Sequence, residues 1–222
     1  MPIPPAIRTP WPADFPNVII HTDVHTRDAH PRYAAAKAGD VDSAFALAVD
    51  LVSDDAISPI LEASRGRLFL FLPVTAEETA GFNAIPDAMA QVLGWLMHSR
   101  VVSGEIVQTN KVGHTRARSF QRFVTPAMFD GNVLTGADYV LVDHHVGLGG
   151  TLANLRGYIE GRGGRVIAMT TLTESRRSAD FATARDPRHA KGPSWRSTRQ
   201  VLAKPIRLRS RLPHGSRGPK PM

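Results

Sequence analysis

The residues best suited to chemistry crowd into one short run: Asp143, His144, Gly147, Gly149, Gly150 and Thr151, within Tyr139–Leu155. A carboxylate such as Asp143 accepts hydrogen bonds from sugar hydroxyls through two oxygens. Glycines at 147, 149 and 150 allow backbone angles that a side chain forbids, and they let main-chain N–H groups close on a phosphate. Thr151 stands where a helix is expected to begin. Its hydroxyl can cap that helix or bind a phosphate oxygen, and a helix N-terminus favours negative charge. A carboxylate followed by such a loop suits a ribose phosphate. Leu148 completes the loop Gly147–Thr151. The competing reading is an ordinary βα turn. A dinucleotide fingerprint would need a third glycine where Leu152 stands, and a P-loop would need a lysine that this run lacks.

Two further segments carry chemistry by position. Thr75, Ala76, Glu77 and Glu78 read as a turn after an apolar strand. Asn110–Gln121 is polar, basic and aperiodic, and reads as a loop holding Lys111, His114, Arg116 and Arg118. A solvated surface loop is the plain alternative for these cations, and N-terminal partners of a helix dipole the plain alternative for the two glutamates. His21, Asp23, His25 and His30 resemble a metal cluster by composition, but their spacing matches no zinc pattern.

The elements that must hold these residues alternate between strand and helix. Short strands are expected at Val18–His21 and Glu105–Gln108. Leu68–Val74 is a continuous apolar run that reads as a buried parallel strand. Tyr139–Val142 reads as a strand ending at Asp143, and Arg165–Met169 as another. Helices are expected at Asp40–Val52, on an apolar face of Val41, Ala44, Phe45, Ala48, Val49 and Val52, at Ile85–Met97 with Pro86 early, and at Thr151–Gly161. Trp95 and Phe82 read as core residues. This alternation predicts an α/β fold, a single doubly wound domain with a central, mainly parallel sheet. Ligands of such sheets bind at the carboxyl ends of the strands, which is where Asp143 falls.

In these residues the chain resembles the type I phosphoribosyltransferases. That family carries a strand, two acidic residues, a short loop and Gly-Gly-Thr opening a helix. Asp143 matches the first acid, His144 stands at the second, and Gly147–Thr151 matches the 5′-phosphate loop. The resemblance covers about residues 60–175. It implies transfer of a phosphoribosyl group from phosphoribosyl pyrophosphate to a nucleobase-like nitrogen acceptor. Thr75 and Ala76 would then face pyrophosphate, and Lys111 or Arg116 would close over the leaving group. Mg2+ would bridge the ribose hydroxyls and the pyrophosphate, with Asp143 its one candidate protein ligand. A homodimer is a further expectation of the resemblance. A non-catalytic binder of phosphoribosyl pyrophosphate is the alternative, since His144 brings no negative charge. His30–Asp40 is also familiar from phosphoribosyltransferase-like bacterial proteins, and no role follows from its sequence.

Composition sets the remaining bounds. The 222 residues suffice for one α/β domain, and the lack of cysteine excludes disulfides and thiolate metal sites. No apolar run is long enough to span a bilayer and no signal peptide is legible, so a cytoplasmic protein without membrane contact is expected. The net charge of +7 is unevenly placed. Residues 176–222 hold 13 Lys and Arg against 2 Asp and Glu, so the rest of the chain is net acidic. Three regions follow: a Pro-rich arm at 1–16, the domain at 17–175, and a basic, Pro-rich tail at 176–222. The tail reads as disordered, or as the product of a frameshift near Arg176. A basic arm for nucleic acid competes with both readings.

Overall fold

The computed structural model describes residues 9, 11–78, 81–110 and 126–175. All of them fall in Met1–Pro187, one of the two units into which the chain divides. Lys111, His114, Arg116, Arg118 and the tail from Arg176 lie outside the described residues.

The chain forms a mixed α/β fold around a five-stranded sheet. Its strands are β1 (Ile19–Ile20), β2 (Phe69–Pro73), β5 (Arg100–Val101), β8 (Asp138–Val146) and β9 (Arg165–Glu174). Every pairing is parallel, in the order β1-β9-β8-β2-β5. A second sheet, in the order β4-β3-β6-β7, joins β3 (Thr75–Glu78), β4 (Gly81–Phe82), β6 (Ile106–Gln108) and β7 (Phe129–Gly131).

Helices cover both faces of the parallel sheet. The N-terminal part supplies α1 (Val24–Ala29), α2 (Tyr33–Lys37), α3 (Val41–Leu51) and α4 (Ile57–Ser64). These are followed by α5 (Ile85–Met97) and α6 (Gly150–Glu160). One core packs α3, α4 and α5 against Phe71, Val140 and Val142; the other packs α6 against Leu72, Tyr139 and Leu141. Two cores on opposite faces explain why the central strands are nearly continuous apolar runs.

Local signals set the helix ends. Asp40 caps α3 by accepting from Ser43 N at 2.7 Å. Pro86 sits in the first turn of α5, where a missing N–H costs nothing. The arm is partly tied down: Arg156 of α6 lies under the rings of Trp11 and Phe15, 4.5 and 5.2 Å from their centroids.

Several sequence expectations are corrected. Thr75–Glu78 is a strand rather than a turn, because Thr75 and Ala76 pair with Val107 and Gln108. β8 does not stop at Asp143. It runs to Val146, because β9 also continues and pairs Asp143 with Thr171 and His145 with Thr173. On α3 the buried residues are Ala44, Leu47 and Ala48, while Val41, Phe45 and Val49 face outward. Trp95 and Phe82 are 77% and 59% exposed, so neither is core. The short helices α1, α2 and α4 were not legible as helices.

Candidate phosphate-binding site

The strand order reverses between β2 and β8. From β2 the chain proceeds to its neighbour β5 on one side, and from β8 to its neighbour β9 on the other. Loops leaving the two strands therefore diverge and open a crevice at their carboxyl ends. Pro73 and Val142 are partners in register, and Val74 N donates to Val142 O at 2.8 Å. Thr75 and Asp143 thus stand on opposite lips of this crevice, two residues past Pro73 and one residue past Val142.

On the β8 lip, Val146 is followed by Gly147, Leu148 and Gly149, and then by α6. Gly149 is the helix N-cap, with φ of 68° in the left-handed region that favours glycine. A Cβ at this position would meet nothing within 4 Å, so glycine is needed for its backbone angle and not for space. The first helical hydrogen bond runs from Ala153 N to Gly149 O at 2.9 Å. The N–H groups of Gly150, Thr151 and Leu152 precede it and have no helical acceptor. No side chain caps this helix, so Thr151 sits in its first turn and not at the cap. Three successive donors at a helix N-terminus form an anion cradle. Gly147 likewise has open space around its Cβ position, and Leu148 is 42% exposed at the loop tip.

Asp143 is 8% exposed. Its Oδ1 accepts from the backbone N of His144 at 2.7 Å and faces His144 Nδ1 at 3.0 Å. A carboxylate can only accept, so Nδ1 carries a proton. In the neutral ring Nε2 is then the acceptor. The second carboxylate oxygen, Oδ2, takes no hydrogen bond from a described residue. The pair presents two acceptors, Oδ2 and the imidazole Nε2, for a vicinal diol.

His145 was not singled out from the sequence. Its Nδ1 lies 2.9 Å from Thr173 Oγ1 and 3.4 Å from Arg27 Nη1, and Arg27 donates to Thr173 Oγ1 at 2.7 Å. Burial, then the positive charge of Arg27, push its pKa down to about 4. The ring is neutral at physiological pH. The signal that could have found it is the pair of adjacent histidines at a strand end facing a threonine-rich partner strand.

On the β2 lip, Val74, Thr75, Phe82, Asn83, Asp87 and Ser103 border a cavity of about 310 Å³. Ser103 donates to the Asp87 carboxylate, and Gln91 Nε2 donates to Ser103 at 3.2 Å. Ala76 is half-buried in β3 beside Thr75. No group of three or more metal-ligating side chains occurs among the described residues. Among the described residues, the Asp143 carboxylate suits a Mg2+ ion that arrives on phosphates and keeps much of its water. Among the described residues, no helix is long and apolar enough to cross a membrane.

No protein-family model matches the chain. Protein TraN of Escherichia coli is 39% identical to it over 177 residues, covering 80% of this chain and 39% of that protein. An uncharacterized protein of Haemophilus influenzae is 39% identical over 153 residues, covering 69% of this chain and 34% of that protein. The chain thus spans little more than a third of the curated relatives it matches. Among solved structures, adenine phosphoribosyltransferase from Rhodothermus marinus shares 12% identity over 57% of this chain and 69% of that one, with a TM-score of 0.40. The enzyme from Leishmania donovani shares 14% identity over 78% of each chain, with a TM-score of 0.39. Likenesses of this size leave the chemistry resting on the residues themselves.

Proposed function

We propose that the chain binds phosphoribosyl pyrophosphate at the crevice between β2 and β8 and transfers its phosphoribosyl group to a nucleobase-like nitrogen. The observation that carries this reading is the left-handed Gly149 opening α6, five residues after His144 of the hydrogen-bonded pair Asp143–His144. The free N–H groups of Gly150, Thr151 and Leu152 suit a 5′-phosphate. Asp143 Oδ2 and His144 Nε2 suit the two ribose hydroxyls.

In the reaction the bond from ribose C1 to the pyrophosphate oxygen breaks and a bond from C1 to the acceptor nitrogen forms. The acceptor's N–H proton is released, and pyrophosphate leaves. Bound Mg2+ would offset the charge of the pyrophosphate. The chain's own part is to hold the ribose and its phosphate so that C1 faces the acceptor, while Asp143 places negative charge near a centre that becomes cationic. Lys111 and Arg116, from the basic loop, are the candidates to cover the leaving group and exclude water. Thr75 and Ala76 stand on the lip where pyrophosphate would lie.

A second reading is favoured by one observation. His144 donates a hydrogen bond from Nδ1 to Asp143 and brings no negative charge, so the diol site carries one where the resembled family carries two. A site so built can hold the ligand without turning it over. Calorimetry of the full chain with phosphoribosyl pyrophosphate, with and without Mg2+, tests binding. Release of pyrophosphate with a panel of purine and pyrimidine bases tests transfer. Binding with release supports the enzyme, binding alone supports the second reading, and no binding overturns both.

A further inference from the structure

The α1–α2 hairpin lies on the same edge of the sheet as His145 and has no part in the reading above. Arg27 of α1 is nearly buried, its side chain 11% exposed. Its Nε and Nη2 bond Asp28 Oδ1 at 2.9 and 2.7 Å, and its Nη1 bonds Thr173. The guanidinium carbon lies 4.8 Å from the centroid of the Tyr33 ring, and Lys37 Nζ lies 6.0 Å from the same centroid. One aromatic ring therefore gathers two cations beside the end of β9. No described carboxylate pairs with Lys37, which is half-buried in α2.

The hydrogen bonds fix the tautomer of His145. Thr173 Oγ1 accepts from Arg27, and a hydroxyl has a single proton to give. Arg27 Nη1 also lies 3.4 Å from His145 Nδ1, and a guanidinium only donates, so Nδ1 accepts and takes the Thr173 proton at 2.9 Å. Nδ1 is then an acceptor and the ring's own proton sits on Nε2, on the far side of the ring from Arg27 and Thr173. No described residue accepts from Nε2. The result is an oriented N–H donor on a ring with two cations close by, two residues before the Gly147–Thr151 loop.

We propose that Lys37 and the Nε2–H of His145, positioned by Arg27 and Thr173, form an oxyanion-binding corner that takes a phosphate oxygen of the ligand. The class of ligand is a pyrophosphate ester or pyrophosphate itself. The corner rests in part on the reading above, because the two sites would share one ligand, but it is testable apart from it. Arg27 has its N–H groups committed within the protein and acts through position and field. Lys37 and His145 make the contact.

The test uses the full chain and two probes, inorganic pyrophosphate and phosphoribosyl pyrophosphate. Long-range 15N–1H spectra assigned through His145→Phe are expected to show His145 protonated on Nε2, and either probe is expected to shift that resonance. Lys37→Met and His145→Phe are each expected to weaken pyrophosphate about tenfold, the loss of one charge-assisted contact. Thr173→Val, which keeps volume, is expected to mix the two tautomers of His145, and Thr173→Ser to restore one. Pyrophosphate binding with these losses supports the corner even if phosphoribosyl pyrophosphate does not bind, which would overturn only the reading above. Binding of phosphoribosyl pyrophosphate that is unchanged in Lys37→Met and His145→Phe overturns the corner alone. Binding of neither probe overturns both.

Discussion

His21 makes the fold sensitive to acid, by an amount that the structure sets. The side chain is 9% exposed and joins three elements. Ser53 N donates to its Nδ1 at 3.0 Å, and its Nε2 lies 2.8 Å from Thr170 Oγ1. The Thr170 hydroxyl donates to Ile19 O at 3.1 Å. Nδ1 thus accepts and Nε2 carries the proton, so a second proton would have to displace the Ser53 N–H. Burial lowers the pKa of His21 from 6.5 to about 4. The folded state therefore binds fewer protons than the unfolded state between these values. Its stabilisation is fully present above pH 6.5, is lost progressively as pH falls toward 4, and changes no further below that. A shift of this size is worth about 3 kcal/mol. Urea unfolding of the full chain and of His21→Asn at pH 7.5 and pH 4 measures it. Asparagine keeps an acceptor for Ser53 N but does not titrate. The native chain is expected to lose about 3 kcal/mol more than the variant over this range. His145, whose pKa is lowered as well, is present in both proteins and cancels in the comparison. A stability gap that stays constant with pH would refute the neutral, buried assignment.

Three other perturbations follow from the same geometry. Gly149→Val forces a β-branched residue into the left-handed region and is expected to cost about 1–2 kcal/mol of stability, together with phosphoribosyl pyrophosphate binding; Gly149→Asn is expected to cost less of both, and calorimetry with unchanged affinity in the valine variant would exclude the loop as the phosphate cradle. His144→Asp adds a second negative charge to the diol site and is expected to raise Mg2+-dependent binding or turnover; equal affinity and rate in both forms would remove His144 from the account of activity. Trp11→Ala strips a ring from Arg156 and is expected to lower unfolding stability by about 1–2 kcal/mol; an unchanged urea midpoint would show that the arm's docking contributes nothing.

How far the sequence disclosed this arrangement depends on whether the signal was local. Helix α5 was legible from Ile85 to Met97, because Pro86 marks its start and its apolar residues mark its length. Gly149 was legible for the same reason, because its left-handed backbone angle is a property of one residue, whereas Gly147 and Gly150 do not share its positive φ. Faces and ends were less so. The outward Val41, Phe45 and Val49 look as apolar as the buried Ala44, Leu47 and Ala48, and only the packing of α5 against α3 decides between them. Trp95 was misplaced in the same way, since an aromatic residue on a helix carries no mark of which side is solvent.

The end of β8 shows the consequence for function. A strand stops when its partner stops, and β9 carries Thr171 and Thr173 past the expected limit at Met169. Asp143, His144 and His145 are therefore strand residues, held by a ladder and not by a loop. The role of His145 is set by neighbours that lie far away in sequence. His144 turns to Asp143, while His145 is claimed by Thr173 and, through it, by Arg27, 118 residues away. Two adjacent imidazoles thereby acquire opposite tautomers. His144 is protonated on Nδ1 and leaves an acceptor at Nε2; His145 accepts at Nδ1 and leaves a donor at Nε2. An acceptor suits ribose hydroxyls and a donor suits phosphate oxygens, so under the proposed function the pair would divide one phosphorylated sugar between them. No composition or spacing rule could assign the His145 proton, because it is set by Thr173 and Arg27 from two other segments of the chain.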